Sequence, residues 1–335
     1  MTRLKLSIAM CTYNGERFLR EQLESLSHQT RLPDEVVVGD DGSSDATLEI
    51  LETWARGVPF PVRITRNEKN LGFAKNFEAT LSRCRGDILF PCDQDDVWEP
   101  EKIEKMAAVF EQEAAVEVVY CGYQRIDQDG NPRRSHEPLD WRVPPQANIY
   151  WPKLQQETPQ GAGCLSAVRK TLLEKVFPLP PHWPHDMWIY VSAPVFGQMR
   201  TLDIPLIRYR RHEQNSSDFG VPVVWKAGKN TYYIHSVQLY ETQTPMREEL
   251  YRRWNTFPDN DYKRGYLEYL RQQDIHFGNR LKIEKNFLRN FPLVWIEWFS
   301  GRYFRYEQPW KSFCFDCKEG LLNLLQGGYQ KDSSL

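Results

Sequence analysis

The chain contains no apolar run approaching the roughly 18 residues that a membrane span requires, so no segment is expected to cross a bilayer. Its charge has no excess of either sign. Lys and Arg total 43 against 45 Asp and Glu, a net charge of −2, which argues against general nucleic-acid binding. The first apolar strand, Leu4 to Met10, is followed by Thr12-Tyr13-Asn14-Gly15, a loop with one glycine. A G-x-G-x-x-G fingerprint is missing there, which counts against a nicotinamide-dependent dehydrogenase, and the lack of a Walker A sequence disfavours a P-loop kinase. The N-terminus has neither the basic start, the apolar stretch nor the small-residue cleavage site of a signal peptide. The seven cysteines are odd in number and scattered, which fits reduced thiols better than a disulfide framework. The close pair Cys314 and Cys317 lacks a second pair to complete a zinc site. The expected compartment is therefore the cytosol. No collagen-like, heptad or solenoid repeat is present.

What is present is a globular composition, 41% hydrophobic and 26% charged over 335 residues. The first 120 residues alternate strand and helix patterns at short intervals. Leu6, Ile8 and Met10 alternate as a strand, and Leu19, Leu23 and Leu26 follow at helical spacing. Glu35 to Val38 is a buried strand, and Asp45 is expected to cap a helix carrying Leu48, Leu51 and Trp54. Val62 to Thr65 is a strand, Ala74, Phe77 and Leu81 mark a helix, and Ile88-Leu89-Phe90 opens the next strand. Ile103, Met106 and Phe110 give a further helix before the strand Val116 to Tyr120. Such alternation implies a mostly parallel sheet flanked by helices. The segment from 125 to 215, rich in Pro and Trp, is expected to be irregular, and the chain beyond 220 to be helical.

In parallel sheets ligands bind at the carboxyl ends of the strands. Three polar clusters fall there: Thr12-Tyr13-Asn14, Asp40-Asp41-Gly42-Ser43, and Asp93-Gln94-Asp95-Asp96. Two carboxylates two residues apart, just past a strand end, can face one ligand. Hard oxygen donors at that spacing suit Mg²⁺ or Mn²⁺, with a diphosphate as further ligand. The structural alternative is an acidic turn capping the helix that starts near Pro100. For Asp40 to Asp45 the choice lies between turn chemistry and recognition of a base or ribose.

Thr12-Tyr13-Asn14-Gly15, Asp40-Asp41-Gly42-Ser43-Ser44-Asp45, Asn70-Leu71-Gly72 with Asn76, and Cys92-Asp93-Gln94-Asp95-Asp96-Val97-Trp98 occur in that order. Together they resemble the family 2 glycosyltransferases of the GT-A fold. His185-Asp186-Met187-Trp188 and Tyr209-Arg210-Arg211-His212 resemble its bacterial rhamnosyltransferase-like branch. The resemblance spans about residues 5 to 215. It implies a GT-A domain at 1–215 followed by a helical, aromatic-rich C-terminal region at 216–335. It implies that Thr12, Tyr13, Asn14 and Asp41 hold base and ribose, that Lys75 lies near base or phosphates, and that Asp93 contacts ribose or metal-bound water. Asp95 would ligate the cation, His212 would complete the metal and diphosphate site, and Asp186 would be the catalytic base. The reaction implied is inverting sugar transfer from a nucleoside-diphosphate sugar, dTDP-L-rhamnose first and a UDP-sugar second. The acceptor implied is a glycan or lipid-linked molecule of bacterial surface polysaccharide synthesis. This chain carries His185-Asp186 where many relatives carry Glu-Asp, and Met187 in place of a tryptophan. Gly161-Ala162-Gly163 is either a tight turn or a place where an acceptor approaches the backbone.

Two other functions fit parts of the pattern: a nucleotidyltransferase, which also uses a nucleotide, a metal and paired Asp residues, and a nucleotide-sugar-binding subunit without turnover. Between Phe287 and Phe315 stand eleven aromatics in 29 residues, interleaved with Arg302, Arg305 and Lys311. They either pack as a core or rest on the inner face of the plasma membrane, where Trp and Tyr favour the interface.

Overall fold

A computed structural model describes residues 3–132, 163–213, 244–285 and 287–302. Gly161, Ala162, Cys314, Cys317 and the aromatics from Tyr303 onward lie outside the described residues. Two compact units are formed, the first containing the sheet together with Thr256–Pro258 and the second helical.

The first unit is one eight-stranded sheet in the order β3-β2-β1-β4-β7-β6-β8-β5. Its strands are β1 (Leu6–Thr12), β2 (Glu35–Asp40), β3 (Val62–Arg66), β4 (Ile88–Cys92), β5 (Val97–Trp98), β6 (Val116–Ile126), β7 (Ser166–Arg169) and β8 (Gln198–Arg210). Among the described residues six helices accompany it: α1 (Glu16–Ser27), α2 (Thr47–Ala55), α3 (Phe73–Arg83), α4 (Lys102–Gln112), α5 (Lys170–Val176) and α6 (His185–Phe196). β1, β2 and β4 are buried along their whole length, as strands covered on both faces must be. Helix α1 turns Phe18, Leu19, Leu23 and Leu26 inward, the i, i+1, i+5, i+8 face of a 3.6-residue period. At Gly39 the backbone of β2 meets α3 so closely that a Cβ would stand 2.1 Å from Thr80 Oγ1, and Asn76 Nδ2 donates to the Gly39 carbonyl at 2.8 Å. Glycine is required by that approach.

The ladders joining β1 to β2, β1 to β4, β2 to β3 and β6 to β8 are parallel, while β4–β7, β6–β7 and β5–β8 are antiparallel. Two successive antiparallel steps, β4 to β7 to β6, restore the original direction. β6 and β8 therefore run with β1, β2 and β4, and the carboxyl ends of all five share one rim. The irregular segment expected from 125 to 215 is corrected here, since β7, α5, α6 and β8 lie within it. β7 has only four residues, α6 is buried nearly all round and so lacks an amphipathic period, and Pro205 interrupts the alternation of β8. Asp45 precedes the helix it was expected to cap by one further residue. Its Oδ1 accepts the Thr47 backbone N–H at 3.0 Å, so it still serves the first turn of α2.

The second unit contains α7 (Thr244–Trp254), α8 (Asp261–Lys285) and α9 (Phe287–Phe299). Trp254 packs against Tyr266 with ring centroids 5.1 Å apart, and Asp274 accepts from both Arg247 and Tyr251. Between α8 and α9, the buried Glu297 carboxylate accepts from His276, Asn279 and Arg302 at 2.6–2.7 Å. The opposite face of α9 carries Phe291, Trp295, Ile296 and Phe299, all exposed, with Phe299 at 80%. No helix among the described residues is long and apolar enough to cross a membrane.

Candidate active site

The loop after β1 is held from two sides. The Gln94 side chain bonds both Tyr13 backbone groups, accepting from N–H at 2.8 Å and donating to C=O at 3.0 Å. Asn14 sits at φ 47°, its N–H donating to Ser43 Oγ and its Oδ1 accepting the Ser44 N–H, both at 2.9 Å. Asn is among the few residues that tolerate this left-handed conformation. Thr12 Oγ1 donates to Asp40 Oδ1, which closes the first two strand ends onto each other. Tyr13 is left half exposed over the rim.

The adjacent aspartates at the end of β2 do different work. Asp40 folds its own turn, accepting the Gly42 and Ser43 N–H groups and the Ser43 hydroxyl. Asp41 is buried and reaches the next loop, where its oxygens accept Leu71 N–H at 2.8 Å, Gly72 N–H at 2.9 Å and Asn67 Nδ2 at 2.8 Å. Asp41 thus organises the turn that starts α3. Lys75, one turn into α3, directs its ammonium to Glu78 at 2.6 Å and to the Leu179 carbonyl at 3.4 Å.

The third cluster meets the end of β8. His212 Nε2 lies 2.8 Å from Asp95 Oδ2, and its ring stacks on Phe18 with centroids 4.6 Å apart. Arg210, also over Phe18, donates through Nε to the Asp95 carbonyl and through Nη1 to those of Asp127 and Gln128, and it pairs with Glu21. Its backbone N–H donates to Asp96 Oδ1 at 3.1 Å. Behind these, Asp93, Asp96 and the Cys164 thiol converge, with ligand atoms within 4.8 Å of one another. Burial first, then the charges of Asp95 and Asp186, push the Asp93 carboxyl up to about 7, against the opposing pull of the Cys164 thiol and Lys102. Asp96 is raised for the same reasons: burial, then Asp95 and Asp93. A carboxyl group so displaced marks a place short of positive charge.

Asp186 stands in the first turn of α6, its Oδ2 accepting the Gly163 N–H at 3.3 Å and its Oδ1 the Met187 N–H at 2.8 Å. Gly163, which Asp186 accepts from, immediately precedes Cys164 of the acidic cluster, so Asp186 and that cluster lie on either side of the Gly163 turn. Thr12, Tyr13, Asn14, Asp93, Asp95, Asp186 and His212 are therefore gathered at one rim. Asp41 is buried behind the loop it holds, and the Lys75 ammonium is engaged by Glu78 and the Leu179 carbonyl.

With this geometry in view, likeness to other proteins becomes informative. The profile of glycosyl transferase family 2 matches residues 7–177, more than half the chain. The chain belongs to that family. An uncharacterized glycosyltransferase of Nostoc is 29% identical over 229 residues, covering 64% of this chain and 66% of its own. The amylovoran biosynthesis glycosyltransferase AmsE of Erwinia amylovora is 34% identical over 136 residues, 40% of this chain and 50% of the relative. The chain spans 59% of the length of uncharacterized mycobacterial relatives that are 28% identical to it. In fold it resembles Staphylococcus aureus TarS residues 1–349, with TM-score 0.55 and 17% identity over 98% of this chain and 93% of that one. It also resembles a Pyrobaculum calidifontis mannosyltransferase solved with GDP-mannose and Mn²⁺, with TM-score 0.52 and 18% identity over 98% and 89%. The GT-A α/β architecture expected from the motifs is thus the one observed.

The rim of this family 2 member suits a divalent cation. Ligands on adjacent corners of an octahedron with bonds of about 2.1 Å stand roughly 3 Å apart. Asp95 Oδ2 and His212 Nε2, joined by a hydrogen bond of 2.8 Å, stand close to that separation. The deeper group of Asp93, Asp96 and Cys164 has a buried lysine beside it, whose charge opposes the rise of Asp93 without cancelling it. The Lys102 ammonium donates to the Cys164 carbonyl at 2.5 Å and lies 3.9 Å from the centre of the Trp98 ring. Lys102, Arg210 and Gln94 are the rim residues that motif reading left without a role. A lysine on the buried Ile103–Met106–Phe110 face of α4 was the available signal for the first, and an arginine one residue past an apolar strand position for the second.

Proposed function

We propose that the protein is an inverting, metal-dependent glycosyltransferase. It moves a sugar from a nucleoside-diphosphate donor, dTDP-L-rhamnose before any UDP-sugar, to a glycan or lipid-linked acceptor of a surface polysaccharide. The observation that carries this reading is the meeting of Asp95 with His212 beside the raised Asp93, with Asp186 acting on the same cluster from across the Gly163 turn. Relatives named for amylovoran biosynthesis and abequosyl transfer support the polysaccharide setting.

In this reading Thr12, Tyr13, Asn14 and Asp41 hold the base and ribose, and Lys75 lies near the base or phosphates. Asp93 holds ribose or metal-bound water, and Asp95 and His212 hold Mg²⁺ or Mn²⁺. The bound cation would supply Lewis-acid stabilisation of the diphosphate leaving group. Asp186 accepts the proton of the acceptor hydroxyl as that oxygen bonds to the anomeric carbon. The bond from that carbon to the diphosphate breaks with its electron pair leaving on the phosphate oxygen, and a single displacement inverts the centre. The exposed aromatic face of α9 would rest on the inner leaflet, bringing the enzyme to a lipid-linked acceptor.

The test is a panel of nucleotide sugars with Mn²⁺ or Mg²⁺ and cell-envelope extract, read as released nucleoside diphosphate. Release that requires both the metal and the extract is expected, fastest with dTDP-L-rhamnose. Binding without release favours a non-catalytic subunit, and release of pyrophosphate from a nucleoside triphosphate favours a nucleotidyltransferase.

A further inference from the structure

His185 is buried to 4% exposure, and among the described residues neither of its ring nitrogens has a hydrogen-bond partner. Folded interiors seldom leave a buried polar side chain wholly unpaired, because burial removes its water without replacement. The ring is enclosed by apolar groups on several sides. It stacks face to face on Phe77 with centroids 4.1 Å apart, and Phe73 meets it edge-on at 6.4 Å. On its third side is Gly163, where an added Cβ would lie 2.7 Å from His185 Nε2 and 3.5 Å from Asp186 Cβ. The Gly163 N–H is already given to Asp186. Consecutive residues of α6 thus converge on one glycine, one of them the carboxylate assigned as base and the other an imidazole held in place with its nitrogens unused. The stacking on Phe77 and the edge contact with Phe73 use neither nitrogen, so these apolar contacts alone give no reason for an imidazole.

We propose that His185 is a specificity-determining residue that hydrogen-bonds a hydroxyl of a sugar ring brought to Asp186. The inference rests on the glycosyltransferase reading and adds to it a contact for the sugar rather than for the nucleotide or the metal. Burial lowers the imidazole pKa, so the ring is neutral near pH 7, with one nitrogen a donor and the other an acceptor, and a hydroxyl, which can give or take a hydrogen bond, suits either one.

The sugar hydroxyl could come from the donor or from the acceptor, and the experiment separates them. Full-length protein labelled with ¹⁵N-histidine is observed through its ring nitrogens, with His185 assigned as the set lost in H185F. With Mn²⁺ replaced by diamagnetic Mg²⁺, dTDP is added alone, then dTDP-L-rhamnose, then a methyl glycoside as acceptor mimic. Calorimetry follows binding in parallel. The expected result is that dTDP binds and leaves the His185 nitrogens in place, whereas dTDP-L-rhamnose or the glycoside moves them; which one does so names the source. In turnover, H185F is expected to melt no lower than wild type yet lose on the order of tenfold in kcat/KM, the size of one hydrogen bond to an uncharged group, while H185Q recovers part of it. Binding of the nucleotide sugar with His185 unmoved by either ligand, or full activity in H185F, would overturn the assignment and leave the glycosyltransferase reading standing. Failure of every nucleotide and nucleotide sugar to bind would overturn both.

Discussion

Replacing Lys102 by methionine isolates the charge that the acidic cluster leans on while keeping most of the stem that packs in α4. In the structure the ammonium is fully buried, donates to the Cys164 carbonyl, lies over Trp98, and opposes the upward shift of Asp93. Removing one partner from a buried set of opposite charges costs about 3–5 kcal/mol, since the remaining charge stays desolvated and unpaired. The cation–π contact, worth up to about 2 kcal/mol when desolvated, is contained in that figure. Protonation of Asp93 or Asp96 offsets part of the loss, leaving a net destabilisation of roughly 3 kcal/mol. At about 2–4 °C per kcal/mol for a unit of this size, the melting temperature falls by roughly 6–12 °C. Urea unfolding of K102M and wild type, followed by far-ultraviolet circular dichroism in chelator, measures this at pH 8 and pH 5. The deficit is expected to be larger at pH 8, because a carboxyl group raised further in the folded state costs more stability the further the pH exceeds its unfolded value. A difference below about 1 kcal/mol, or a deficit that grows on acidification, would refute the view that Lys102 balances these carboxylates.

D186N should bind nucleotide sugar with unchanged affinity in calorimetry and lose transfer by about a thousandfold or more, the upper range for a general base. D95A should instead lose metal-dependent donor affinity. In the helical unit the Glu297 carboxyl is held down to about 2, its three donors outweighing burial. Its contribution, roughly 3 kcal/mol from that shift, is present above the unfolded value of 4.5 and disappears as pH falls toward 2. E297Q should therefore lose stability at pH 7 and show a flatter acid-unfolding curve than wild type between pH 5 and 2. Replacing Phe291, Trp295 and Phe299 together by serine should lower flotation with anionic liposomes while leaving the circular dichroism spectrum unchanged, and equal recovery would count against membrane contact.

The strand ends of the first 100 residues were legible because three conditions coincided. Fully buried parallel strands read as continuous apolar runs, each ends in polar residues, and the intervening helices carry one apolar face. β1, β2 and β4 with Thr12, Asp40 and Asp93 at their tips follow from that pattern. The half of the rim contributed by β7, α6 and β8 was not legible as structure. Four residues are too few for alternation, a helix buried all round has no period, and a proline breaks the pattern in β8. His212 and Asp186 came from motif resemblance alone, and their approach to the acidic cluster depends on two antiparallel steps in the sheet that no local pattern encodes. Asp41 shows the same limit at the level of a side chain. Its oxygens accept from Asn67, Leu71 and Gly72, residues 26 to 31 positions away that no local pattern connects to it.

The most direct test of a cation-and-diphosphate site at this rim is electron paramagnetic resonance of Mn²⁺ titrated into protein with dTDP present. Wild type is expected to quench the free-ion signal at one Mn²⁺ per chain, with D95A and H212A each weakening that binding by tenfold or more. Undiminished Mn²⁺ binding in both variants would place the ion elsewhere and contradict the account.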